Sequence, residues 1–277
     1  MKGKSPLSLI CLALSISIAV LLAGCASDLP VPKVTYPTPP KTPEPGQHPY
    51  SSKVRYRNVL LFFGPTAHIN YLLYIPDDYG KDTAKKWPLI LFLHGMGERG
   101  NELELLKKHP LPKLLDMRSD FPFIVVSPQL SAELAPWSDM IEPLKALLDR
   151  IKREYTVDRS CVSVTGLSMG GAGTWEFGLR YPRFFAALVP IAGFYRYRSP
   201  EVPPNIAVLK EVPIWAFHGA ADWTVRPNQS EVLVKALKDL GSNIRFTLYP
   251  DTDHEGSWIR AYADPELYEW IAGQRLK

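Results

Sequence analysis

A β-branched run, Val162-Ser163-Val164-Thr165, leads straight into Gly166-Leu167-Ser168-Met169-Gly170-Gly171, and Ala172 to Tyr181 then reads as a helix closed by Pro182. Strand, sharp turn and helix form the context in which Gly-x-Ser-x-Gly holds a serine out at the carboxyl edge of a sheet. The glycines have a steric reason. A serine on so tight a turn has a strained backbone, and strand and helix pass closely only where Gly166 and Gly170, two residues either side, lack Cβ atoms. Ser168 is therefore the candidate nucleophile.

The flanking sequence supplies the rest of such a sheet. Leu89 to Leu93 is apolar without polar alternation, as expected of a strand covered on both faces. Comparable runs follow at Phe123 to Ser127, Cys161 to Thr165, Ala187 to Ile191, Ile214 to Phe217 and Ile244 to Tyr249. Helical stretches alternate with them at Glu102 to Lys108, Asp139 to Glu154, Ala172 to Tyr181, Gln229 to Leu240 and Pro265 to Ala272. Upstream, Val54 to Phe63 and Ile69 to Ile75 flank Gly64-Pro65-Thr66 and read as an antiparallel hairpin. The predicted fold class is α/β, a mostly parallel central sheet with an antiparallel N-terminal hairpin and helices on both faces. At 277 residues, 46% hydrophobic and 22% charged, the chain suits one large domain with an ample core.

Ligands of such sheets bind at the carboxyl ends of the strands, and the chemistry-bearing residues fall there. After the first central strand comes His94-Gly95-Met96-Gly97-Glu98-Arg99-Gly100, a glycine-rich loop that exposes backbone N–H groups. The N–H of Met96 and that of Met169, the residue after Ser168, are the candidate oxyanion donors. His94 is expected to pin this loop by a hydrogen bond, with Glu98 and Arg99 as loop-ordering partners or cleft rim. A serine nucleophile needs an acid and a histidine in the order Ser, Asp, His. Asp222 lies in His218-Gly219-Ala220-Ala221-Asp222, 54 residues after Ser168, and His254 lies in the next strand-end loop, 32 residues further on. His218 is the rival base, and Asp251 and Asp253 are the rival acids.

The amino terminus has the layout of an export signal. Lys2 and Lys4 precede an apolar run, Leu7 to Ala23, broken only by serines. The run ends in Leu22-Ala23-Gly24-Cys25, which resembles the lipobox of bacterial lipoproteins. That resemblance implies a leader over residues 1–24, an acylated Cys25 and attachment to a membrane, with the outer membrane favoured because Ala26, not aspartate, follows the cysteine. Losing Lys2 and Lys4, and no acid, lowers the formal charge from +4 by two to +2. No lysine or arginine cluster resembles a nucleic-acid footprint. Residues 25–52 are proline-rich and read as a poorly ordered spacer, with the catalytic domain over residues 53–277. Cys161 is the single cysteine left in that domain and reads as a buried small hydrophobe.

Four motifs in order, His94 to Gly100, Gly166 to Gly171, His218 to Asp222 and Asp253-His254-Glu255-Gly256-Ser257-Trp258, resemble the α/β-hydrolase superfamily over roughly Lys53 to the end. They are most similar to the secreted branch of feruloyl and acetylxylan esterases, polyhydroxybutyrate-depolymerase-like proteins and predicted peptidases. Dienelactone hydrolases resemble this fold as well but use a cysteine nucleophile, where this chain has Ser168. The resemblance implies a serine esterase, with a serine peptidase as alternative and a non-catalytic surface lipoprotein as the reading from another class. It implies no cofactor, and no metal-ligand spacing is present. The segment Phe194 to Val212, with Tyr195, Arg196, Tyr197 and Arg198, is long enough to rim a cleft and too short to cover one. Trp137, Trp223 and Trp258 are candidate aromatic walls for a sugar or a phenolic acyl group.

Overall fold

The computed structural model describes residues 34–56, 65–118, 120–133 and 136–276. Among them, Val34 onward forms one compact unit. The strands are β1 (Gly46–Arg55), β2 (Thr66–Ile75), β3 (Trp87–Leu93), β4 (Ile124–Gln129), β5 (Val157–Leu167), β6 (Ala187–Ile191), β7 (Trp215–Gly219) and β8 (Arg245–Tyr249). The helices are α1 (Pro110–Met117), α2 (Ile141–Glu154), α3 (Met169–Arg180), α4 (Asn228–Asp239), α5 (His254–Ala263) and α6 (Pro265–Gly273).

Unbroken apolar strands bury both faces because successive side chains point to opposite sides. In β3, Leu89, Leu91 and Leu93 join an apolar cluster that also holds residues of α2, α3 and α4, including Leu147, Trp175 and Leu233. Ile90 and Phe92 of the same strand join the cluster on the other face, with Leu111 of α1, Trp258 of α5 and Leu267 of α6. The eight strands run in the order β1-β2-β4-β3-β5-β6-β7-β8. Strands β3 to β8 pair in parallel, and β2 pairs antiparallel with both β1 and β4. This is the expected architecture. Register then brings the reactive ends level: Leu93 pairs with Gly166, Leu167 with Ile191, and Gly219 with Tyr249.

Two expectations are corrected. The first hairpin strand starts earlier than expected, running Gly46–Arg55; of the expected strand Val54 to Phe63, residues 57–63 lie outside the described residues. The proline-rich spacer accordingly does not extend to residue 52. Ser51 N–H donates to Pro37 O, Tyr155 Oη donates to Pro40 O, and β1 pairs with β2 from Gly46 onward. Proline is compatible with this strand because β1 is at the sheet edge, where Pro49 leaves no inner ladder bond unmade. The expected leader and Cys25 lie outside the described residues, and among the described residues no helix is long and apolar enough to cross a membrane.

Candidate active site

Ser168 joins β5 to α3 with φ of +54°, a left-handed conformation unusual for a residue with a Cβ. The turn is as tight as the glycines imply. A Cβ on Gly166 would collide with the carbonyl of Gly170, and one on Gly170 with the carbonyl of Leu93. The hydroxyl of Ser168 is held 2.9 Å from Nε2 of His254, and Nδ1–H of His254 donates to Oδ2 of Asp222 at 2.6 Å. Three residues from the ends of β5, β7 and β8 thus form one continuous hydrogen-bonded chain.

His254 is the first residue of α5 rather than part of an open loop. The preceding Asp253 caps that helix, its side chain accepting from Gly256 N–H at 2.8 Å. The carboxylate of Asp253 is therefore committed to the cap, and the structure pairs His254 with Asp222. Asp251, the other rival, stands at a positive φ of +50° in the turn after β8. Behind His254, the ring of Trp258 meets the imidazole edge-on with centroids 4.8 Å apart, one helical turn later on the same face.

Asp222 is buried, and every oxygen is occupied. Oδ1 accepts from the N–H groups of Thr224 and Val225, each at 2.9 Å. Oδ2 accepts from His254 and lies 3.2 Å from Nε2 of His218. Burial alone would raise this carboxyl, but hydrogen bonds from His218, His254 and the backbone outweigh it and hold the group well below the usual carboxylate range. His218 is fully buried, with Nε2 also 2.8 Å from Val225 O and Nδ1 2.7 Å from Ser230 Oγ, so both ring nitrogens are taken up by the acid loop and α4.

Met169 begins α3, so its N–H is among those without an intrahelical acceptor. Met96 opens a short 3-10 turn, Met96–Glu98, beyond β3. That loop is braced from beneath. Nδ1–H of His94 donates to Gly95 O at 2.6 Å, while Nε2 accepts from Leu130 N–H at 3.0 Å. Burial pushes His94 down to about 4, so it is a neutral strut near pH 7. Glu98 lies 2.7 Å from Nε2 of His109, Arg99 donates to Met96 O, and Gln129 donates to the carbonyls of Glu98 and Glu102. Glu98 and Arg99 are loop-ordering partners, as expected; Gln129 and His109 were not singled out by the sequence.

The three tryptophans separate. Trp137 is 1% exposed and donates to His94 O, so it is a core residue and not a cleft wall. Trp258 is buried behind His254 and forms no open wall either. Trp223, beside Asp222, is 80% exposed. Cys161 is buried with Arg275 Nη1 3.2 Å from its sulfur. Among the described residues no group of three His, Cys, Asp or Glu could hold a metal ion.

Residues 131–259, which include Ser168, Asp222 and His254, match the dienelactone hydrolase family. The chain is similar to a bifunctional acetylxylan esterase/xylanase of Neocallimastix patriciarum, 28% identical over 160 residues, covering 56% of this chain and 22% of that protein. It is also similar to a carboxylesterase of Arabidopsis thaliana, 26% identical over 187 residues, covering 60% of this chain and 82% of that one. Among solved structures, a thermostable esterase superposes with a TM-score of 0.60 at 31% identity, covering 81% of this chain and 63% of that one. The chain thus spans less than two thirds of the length of the acetylxylan esterase/xylanase and of the thermostable esterase.

Proposed function

We propose that this chain, an α/β-hydrolase matched by the dienelactone hydrolase family across its reactive turn, is a serine carboxylic-ester hydrolase that works through an acyl-enzyme. The observation that carries the proposal is the unbroken contact Ser168 to His254 to Asp222, at 2.9 and 2.6 Å. A serine hydroxyl is a weak nucleophile until a base takes its proton as it attacks. Here Oγ of Ser168 attacks the ester carbonyl carbon while its proton passes to Nε2 of His254. The resulting imidazolium is stabilised by Asp222, which fixes the tautomer and stays ionised. The tetrahedral oxygen faces the N–H groups of Met96 and Met169. Collapse releases the alcohol, which takes the proton from His254, and a water molecule repeats the sequence to free the acid and restore the serine.

Substrate is proposed to be a short acyl, acetyl or hydroxycinnamoyl ester, borne on carbohydrate. The rim carries exposed Met96 and Trp223, and the segment 194–212 is too short to cover a long acyl chain. The names of the relatives, an acetylxylan esterase and a carboxylesterase among them, favour the same class. Turnover of 4-nitrophenyl acetate alongside a panel of chromogenic peptides tests the assignment: ester cleavage lost in Ser168→Ala supports it, and robust peptide cleavage without ester cleavage overturns it.

We further propose export, with residues 1–24 removed and Cys25 acylated, and with the catalytic body beginning at Val34 rather than at residue 53. The body's start rests on the contacts of Pro37 and Pro40 with β1 and Tyr155. Mass spectrometry of the mature amino terminus checks the anchor; an unmodified Cys25 or an uncut leader would refute it.

A further inference from the structure

We infer that the cavity of about 580 Å³ between the acid loop and the segment after β6 is a subsite for an acidic sugar ring. Its walls include Tyr197, Arg198, Trp223, Arg226 and Asn228, and no carboxylate lines it. Trp223 and Tyr197 are 80% and 45% exposed, large aromatic faces left open on one side of the molecule. Each carries a guanidinium: Arg226 lies 5.6 Å from the Trp223 ring and Arg198 5.1 Å from the Tyr197 ring. Flat rings suit the C–H face of a sugar, and guanidinium groups suit a carboxylate, which they can grip with two parallel bonds.

The two arginines are available for such a ligand. Neighbouring Arg196 is matched by Glu201 at 3.5 Å, but neither Arg198 nor Arg226 has an acidic partner within ion-pair distance among the described residues. Glu231 lines a smaller depression that shares Trp223, Arg226 and Asn228 with this cavity, and it forms no ion pair with Arg226. Arg198 is moreover held at φ of +61°, next to a bridge between Arg196 and Ser199. A side-chain-bearing residue keeps such a backbone only where its surroundings impose it.

The cavity and the candidate triad share one loop. Trp223 follows Asp222 directly, Thr224 N–H donates to Asp222, and Thr224 O accepts from the Tyr197 hydroxyl at 3.4 Å. A ring bound here sits against the backbone that holds the candidate triad acid, and its assignment to the substrate follows from that contact together with the esterase reading. The inference rests on the esterase reading only for that last point.

Isothermal titration of the full-length Ser168→Ala protein with tetragalacturonate, xylotetraose and sodium sulfate tests it without turnover. Tetragalacturonate is expected to bind about tenfold tighter than xylotetraose or more, from two charge-assisted contacts. Sulfate, an anion without a ring, is expected to bind far more weakly than tetragalacturonate. Replacing both arginines, Arg198→Gln with Arg226→Gln, should bring tetragalacturonate to the xylotetraose level, and Trp223→Ala should weaken both sugars. Equal affinity for the two sugars, no binding of either, or sulfate binding as tightly as tetragalacturonate overturns the inference. Because the sugar preference is read first on protein with both arginines intact, a misfolded double variant leaves that test standing. Turnover of 4-nitrophenyl acetate by the wild type reads the esterase assignment alone, so the two can fail separately.

Discussion

Two parallel strands of this sheet end in the same dipeptide and use it differently. β3 runs into His94-Gly95, and β7 ends in His218-Gly219. Both imidazoles are fully buried at the carboxyl edge, and neither reaches Ser168. His94 spends both nitrogens on backbone groups, Gly95 O and Leu130 N–H, and so stiffens the loop that carries the Met96 N–H. His218 turns one nitrogen to Asp222 and Val225 O and the other to Ser230, so it holds a charged side chain and the loop around it. The residue type is the same; what differs is whether the loop holds backbone groups, which we propose as oxyanion donors, or an ionised carboxylate, which we propose as the triad acid. A neutral brace serves the first, and a hydrogen-bond donor to the acid serves the second.

The sharpest break comes at the acid itself. Asp222→Ala is expected to lower kcat on 4-nitrophenyl acetate by about four powers of ten, because His254 loses both its orientation and its counter-charge. Near-full activity in that variant would mean that the β7 loop is not the acid loop. His218→Gln should act through Asp222 and cost less, about tenfold in kcat with KM little changed, in keeping with the loss of one hydrogen bond. It should also shift acid unfolding. A carboxylate held below its unfolded value contributes stability that is present above that value and is lost as pH falls through the folded one. Removing the His218 contact lessens the depression, so unfolding followed by circular dichroism should begin at a higher pH than in wild type. An unchanged acid transition would leave His218 with packing alone.

On the other loop, His94→Ala should destabilise by about 1–3 kcal/mol, since Leu130 N–H is left buried and unpaired. Stability is lost in acid here as well, but through an imidazole that must take up a proton. The folded imidazole sits at about 4, below its ordinary 6.5, so the unfolded chain binds the extra proton and wild-type stability falls as pH drops through that window. The deficit of His94→Ala against wild type should therefore be largest above that window and shrink toward pH ~4, as urea melts at several pH values would show. A deficit independent of pH would contradict the buried neutral brace. The smallest effect is expected away from both loops. Glu176 on α3 is raised to about 7, first by burial and then by Asp139, so its burial weakens the fold as pH rises from about 4.5 to 7. Glu176→Gln should raise Tm at pH ~8 and leave it unchanged at pH ~4, the condition in which both side chains are uncharged.

What the sequence made legible was the chemistry at strand ends. Gly166 and Gly170 announce a turn that no Cβ survives, and the order of Ser168, Asp222 and His254 against the apolar runs places each at the same edge of the sheet. What stayed hidden had local signals that pointed elsewhere. β1 carries Pro49 and follows a proline-rich stretch, and only its place at the sheet edge, which sequence does not reveal, makes it a strand. α1 contains Pro110 and Pro112, both in the first turn, where a missing N–H costs no helical bond. His254 heads a helix because Asp253 caps it through Gly256, a pairing easily mistaken for a second candidate acid. Burial of Trp137 against His94 depends on tertiary packing and has no counterpart in residue type.

A covalent bond at one oxygen is the most direct test of Ser168 as nucleophile. Intact-mass and peptide mass spectrometry after reaction with a fluorophosphonate should find a single adduct on Ser168, at wild-type rate only when His254 and Asp222 are both present. An adduct elsewhere, or labelling of wild type no faster than of Ser168→Ala, would contradict it.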